Sequence, residues 1–231
     1  MATARQTPLR RRGRPRSRPD PAGTDDPRAG IVAAAGALFA AHGIDGVTMA
    51  QIAEASGLQQ SSIYYWFKSK SEVLGSILDQ VNRVPLEIVE EARRSAGPIP
   101  VRLHRLVVQD VLALSGFPFD INEIHRLAAR DPHTFAGYWD ERSRLDEEVE
   151  ALVAEGVRSG ELRPVDTRLA ARTLLAADEA TQHWFRTGTR GDYTAEVIAR
   201  HVADVGVRGL MTDPGSLDAL HADADHSRLD G

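Results

Sequence analysis

Apolar residues recur every three or four positions through most of the chain, the spacing of helices that each bury one face. The first such stripe is Ile31, Ala35, Leu38 and Phe39. Asp26 can cap it, Pro27 suits the first helical position, and Gly43 is a C-terminal stop. A short second helix opens at Thr48, where Thr48 and Gln51 form a capping box, turns Met49, Ile52 and Ala53 inward, and breaks at Ser56-Gly57. A third covers residues 59–66. Ser69 and Glu72 form a second capping box that opens a fourth helix, which Pro85 should interrupt and kink before the pattern ends near Gly97-Pro98.

Five more helices are expected, over residues 101–115, 120–130, 131–160, 166–188 and 192–209. The 131–160 helix is placed by Asp131-Pro132, a cap followed by a proline. No alternating pattern of useful length predicts a strand. The fold class is therefore all-α, with about nine helices. Residues 1–24 have no apolar periodicity and read as a disordered arm, residues 25–85 as a first domain, 86–212 as a second, and 213–231 as an acidic flexible tail.

Charge changes this picture at one end only. Residues 1–18 hold seven arginines and no acid; with +7 there and −5 overall, the rest of the chain carries −12. A basic arm on an acidic body points to nucleic acid met at one end. No apolar run approaches the roughly 18 residues of a membrane span. No apolar segment near the start suggests secretion, and Pro8, Pro15 and Pro19 would break a transit helix. The chain has no cysteine, which excludes disulfides and thiolate chemistry and fits the cytoplasm. His104, His125, His133, His183 and His201 form no metal spacing, and neither a Gly-rich phosphate loop nor a G-x-S-x-G elbow is present. No enzyme, metal site or cofactor is expected.

Two short helices joined by a glycine turn are a helix-turn-helix candidate. The third helix presents Gln59, Gln60, Ser61 and Ser62 near its start, while Ile63 and Phe67 point inward. Gln can pair bidentately with adenine in the major groove, and Ser can bond base edges or phosphate. Tyr64 and Tyr65 offer hydroxyls to phosphates, and Thr48 starts a helix whose free N–H groups suit one. Across residues 31–74, Gly43, Thr48, Ile52, Ala53, Gly57, Tyr64, Phe67, Lys70 and Leu74 stand at the spacing of the TetR family of transcriptional regulators, and this segment resembles its DNA-binding domain. Gln59 stands where that family usually has a capping Ser, and Ser61 where it often has Gly.

The resemblance implies a DNA-binding regulator, with Lys70 as a phosphate contact. It implies a repressor that binds a palindromic, double-stranded operator as a homodimer and is released by a small-molecule inducer. An activator, or a regulator without a small ligand, stays open. A dimer needs an interface, and the 166–188 helix is apolar on two sides: Leu169, Thr173, Ala176, Ala180 and Trp184 on one, Leu174, Leu175 and Phe185 on the other. One side should meet the partner. Ala195, Ile198, Val202, Val205 and Leu210 of the last helix should complete a four-helix bundle across the two-fold axis.

For the inducer, Arg142 interrupts the stripe of Phe135, Tyr138, Leu145, Val149 and Leu152. Asp178 and Gln182 interrupt an apolar face, as Asp110 does among Leu103, Val107 and Leu114. Three readings compete. These groups converge on a polar cavity walled by Phe135 and Trp139, they are an internal ion pair such as Arg142 with Asp178, or they lie on the surface because the helix phase is slightly different. In the arm, residues 12–16 (RGRPR) resemble an AT-hook core, with Arg12, Arg14 and Arg16 able to enter a minor groove or simply to hold phosphates.

Overall fold

A computed structural model of the chain describes residues 26–117, 120–133, 135–219 and 221–222. Among these it contains nine α-helices: α1 (Pro27–His42), α2 (Met49–Ala55), α3 (Gln60–Trp66), α4 (Lys70–Arg94), α5 (Ile99–Ser115), α6 (Ile121–Ala128), α7 (Ala136–Ser159), α8 (Thr167–Arg186) and α9 (Ala195–Arg208). The β structure among the described residues is one isolated antiparallel bridge between Leu162 and Met211.

The first helices start and stop where their side chains dictate. The Asp26 carboxylate accepts from Arg28 N at 2.8 Å, and Pro27 follows it. Thr48 and Gln51 close their reciprocal capping box. The Ser69 hydroxyl accepts from Glu72 N, but the Glu72 carboxylate takes the N–H of Lys68, one residue ahead of the cap, so the second box is only half formed. Gln59 caps α3 with no side-chain bond. Gly57, at φ +71, makes the left-handed step of the α2–α3 turn, where Leu58 N bonds back to Ala53 O at 2.8 Å.

Two expectations about the later helices are corrected. Residues 131–160 are not one helix. Asp131-Pro132 forms an exposed turn closed by Phe135 N on Asp131 O, and α7 begins at Ala136. The helix starts where Phe135 and Tyr138 reach the core, not at the best capping pair. Nor does Pro85 interrupt α4, which runs unbroken through it. At the far end of α4, buried Arg102 donates to the carbonyls of Ala92 and Arg93 and pairs with Glu155.

α4 joins two cores. Val73, Leu74, Ile77, Leu78 and Val81 pack with Ile31, Phe39, Ile52, Ile63 and Phe67 of the first three helices. Leu86, Val89 and Ala92 pack with α5, α7, α8 and α9. The first core also takes Leu114, Ile121, Ile124, Phe135 and Tyr138, so α5, α6 and α7 contribute to the same core as the helix-turn-helix, which α4 runs through. The expected flexible tail is docked at its start. Leu217 is fully buried, and Asp218 pairs with Arg208 at 2.6 Å.

Candidate functional site

The face of α3 has the features of a nucleic-acid interface. Ile63 and Phe67 are fully buried and fix the helix, while Gln59, Gln60, Ser61, Ser62 and Tyr64 are exposed and Tyr65 is 77% exposed. Residues 59–70 contain no carboxylate, in contrast to the acidic body. Arg28 braces the unit from α1. Its guanidinium lies 4.9 Å from the Phe67 ring centroid and donates to Ser76 Oγ at 2.8 Å. Thr48 is exposed beside this face.

The two lysines are placed by carbonyls. Lys68 Nζ donates to Tyr64 O at 2.8 Å, closing the C-terminal end of α3. Lys70 Nζ donates to Ile44 O at 2.6 Å and Val47 O at 3.0 Å, holding the loop that precedes α2. Lys70 is thus a brace for the α1–α2 turn, with its remaining proton the one left for a phosphate. Arg12, Arg14 and Arg16 lie outside the described residues.

A second site lies where α5, α6, α7 and α8 meet. Asp110, Asp178 and Gln182 are buried there, and Arg142 is half-buried. Arg142 does not pair with Asp178. Its Nη2 meets the carboxylate of Glu179 at 2.5 Å, with Asp146 4.0 Å from Nε. Gln182 acts as a structural tie. Its Oε1 accepts from Ile121 N at 2.6 Å and its Nε2 donates to Leu114 O at 3.2 Å, joining α8 to the start of α6 and the end of α5. Phe135 is buried in the first core. Trp139 stands beside the cluster, its ring 6.3 Å from that of His125 and 5.2 Å from that of Tyr138.

Burial dominates the electrostatics. It raises the carboxyl of Asp110 to about 7, assisted by the charge of Glu179 and opposed by Arg142. It raises Asp178 well above the usual carboxylate range, with Asp110 and Glu179 adding to the effect. Glu179 is also raised by burial despite Arg142 beside it. Burial and the Arg142 charge lower His125 to about 4, so it is neutral at pH 7. Among the described residues no group of three or more His, Asp or Glu side chains is arranged to hold a metal.

Residues 31–77 match the family model described as bacterial regulatory proteins, tetR family, and residues 102–210 match that of the tetracyclin repressor-like C-terminal domain. The chain belongs to the TetR family. It is 27% identical over 206 residues to the HTH-type transcriptional repressor KstR2 of Rhodococcus jostii (strain RHA1), across 84% of this chain and 95% of that protein. The structure of the ketosteroid transcriptional regulator KstR2 of Mycobacterium tuberculosis superposes with a TM-score of 0.71 at 22% identity, over 82% of this chain and 97% of its own. AibR, in complex with isovaleryl coenzyme A and operator DNA, superposes at 0.69 with 21% identity, over 81% and 100%. This TetR-family protein is a helix-turn-helix, DNA-binding transcription regulator, and its relatives are regulators, not enzymes.

The TetR-family protein also carries an outward apolar face. On α8, Leu169 is 63% exposed and Trp184 39%, with Thr173, Ala176 and Ala180 exposed between them. Leu174 and Leu175 on the opposite side are buried in the second core. On α9 the expected stripe needs correction. Ile198 and Leu210 are buried in their own subunit, and the outward row is Val197, His201 and Val205. Trp184, Arg190, Tyr193, Val197 and His201 border a groove of about 560 Å³ on this face. No helix among the described residues is long and apolar enough to cross a membrane.

The sequence pattern does not single out Glu179 of the buried cluster, and it places Tyr138 in an apolar stripe and His125 among scattered histidines, neither as a site residue. Nor does it single out Asn82. It is fully buried on α4, and its Nδ2 donates to Tyr138 O at 2.9 Å. Its signal was there to find: Asn82 falls four residues from both Leu78 and Leu86 in the apolar row of α4.

Proposed function

We propose that this protein is a cytoplasmic repressor that binds a palindromic operator as a homodimer and is released by a small effector. One observation carries the reading: an α3 face of amide, hydroxyl and phenol groups is held rigid by buried Ile63 and Phe67 and left open to the outside. One three-helix unit reads only a few base pairs. Two copies related by a two-fold axis read two half-sites about one turn, roughly 34–36 Å, apart. The outward rows of α8 and α9 supply the matching contact. Ala176 and Ala180 allow close helix approach, and Leu169, Trp184, Val197 and Val205 supply apolar area that a lone protomer leaves exposed.

Release follows from linkage. An effector that binds better when the recognition helices are misplaced lowers operator affinity by that preference. The buried cluster among α5, α6, α7 and α8 is where it acts, and α4 carries the change to the DNA-binding unit. AibR, of the same fold, is seen with both a coenzyme A thioester and operator DNA. Selection of bound duplexes from random sequence tests the core of this reading. An inverted repeat with one-turn spacing is expected, and enrichment of single, unrepeated sites would overturn the palindrome and the dimer.

A further inference from the structure

The buried cluster holds more hydrogen-bond acceptors than the protein satisfies. Asp178 is fully buried on α8, and neither of its side-chain oxygens has a partner among the described residues. Asp110 Oδ1 on α5 and the Tyr138 hydroxyl on α7 are also buried and unpartnered. Arg142, the guanidinium that faces these groups, is committed to Glu179 and Asp146. Three carboxyls, on Asp110, Asp178 and Glu179, therefore face one cation, and His125 adds no charge at pH 7. Buried carboxyls left this way are costly, and a cluster with a purely structural role would pair them.

The missing partner has a definable chemistry. It must donate hydrogen bonds to two neighbouring carboxyls, and it is favoured by positive charge. It must also lie beside aromatic rings, since Tyr138 and Trp139 stand 5.2 Å apart at the edge of the cluster. We propose that this cluster anchors an organic cation, a primary ammonium on a small apolar body, with Asp178 and Asp110 receiving its N–H groups and Tyr138 and Trp139 lying against its body. An ammonium offers three donors and one charge, which matches two carboxyls and a phenol oxygen. An aromatic face beside it adds cation–π attraction. A phosphate or carboxylate group would instead meet like charge.

This inference rests on the reading of the cluster as the effector site, and the test separates the two. The full chain is titrated with butyl-, hexyl- and phenethylammonium, with 2-phenylethanol as the neutral counterpart, by calorimetry and thermal melting. At least one ammonium should bind saturably and raise the melting temperature, and the alcohol should not. Asp178→Asn and, independently, Asp110→Asn should each weaken that binding about tenfold or more. Each replaces a buried acid that has at least one unpartnered oxygen by a neutral isostere, and circular dichroism verifies that the fold is retained. Failure of all three ammonium ions to bind, or equal binding in both variants, overturns the inference. Operator affinity measured with the same ligands adds the second arm. Asp178-dependent ammonium binding without operator release supports the cation site and removes the release reading. Operator release by isovaleryl coenzyme A while none of the three ammonium ions binds leaves release standing and overturns the cation site.

Discussion

The side-chain amide of Asn82 in α4 donates to the backbone carbonyl of Tyr138 in α7 at 2.9 Å, and both residues are buried. The bond ties the helix that leaves the DNA-binding unit to the helix that carries Arg142. Tyr138 belongs to the first core while its ring lies beside His125 of the polar cluster, 5.8 Å between centroids. A shift of α7 at the cluster therefore moves a residue that is bonded to α4 and shares the core of the DNA-binding unit.

Asn82→Ala is expected to weaken operator binding even without an effector, because it loosens the contact that positions α4. A loss of roughly 0.5–2 kcal/mol is the usual scale for such coupling residues. Anisotropy titrations with operator DNA measure it. Operator affinity equal to wild type, with only a lowered melting temperature, would make the bond structural and nothing more.

The residues of α3 should separate into readers and holders. Gln60→Ala should cost about 1–3 kcal/mol on the preferred operator and relax the preference at one base position. Tyr65→Phe removes only a hydroxyl and should weaken binding to all sequences alike. Both side chains are exposed, so melting temperatures should stay near wild type. Competition binding against single-base operator variants distinguishes the two patterns, and a uniform loss in Gln60→Ala would remove it from base reading.

What the sequence revealed and what it hid follow from the range of each interaction. Asp26, Thr48 with Gln51, and Asp166 cap helices through neighbours two or three residues away, so these starts were legible. The two-sided character of α8 was legible too, because its apolar residues recur at helical spacing on two separate faces. The acid that faces Arg142 was not. Asp178 and Glu179 are adjacent, separated by about 100° of helix rotation, and no local rule fixes which of them meets α7. Gln182 looked like a cavity group because its partners, Ile121 N and Leu114 O, lie on other helices. In α9, Val197 and Ile198 are both apolar, so the pattern alone could not show that Ile198 faces the core and Val197 the outside.

The outward rows of α8 and α9 make the dimer separable from the fold. Leu169→Glu together with Val205→Glu places charge on two side chains that are each 63% exposed, so each protomer should keep its helix content and its core. In light scattering the variant should be a monomer where the wild type is a dimer. Operator affinity should fall steeply, since each half-site is then bound alone. A variant that remains dimeric would place the interface elsewhere.

Asp110 predicts a pH dependence of stability with a definite sign. Its folded carboxyl titrates at about 7, against an ordinary 3.8, so the folded chain holds this proton more tightly than the unfolded chain. The stabilisation is fully present below about pH 4 and is lost as pH rises through 7. Facing it are Asp178 and Glu179 from α8 and Arg142 from α7, and the two acids push the same way. His125 on α6 has the opposite slope. It is held down to about 4, so its contribution is lost as pH falls from 6.5 towards 4. The wild-type profile mixes these with the raised carboxyls of Asp178 and Glu179, and a difference against Asp110→Asn reports the share that depends on Asp110. The variant cannot ionise. It should melt several degrees above wild type at pH 8 and close to wild type at pH 4. A difference that stays constant between these pH values would mean that Asp110 does not titrate in that range.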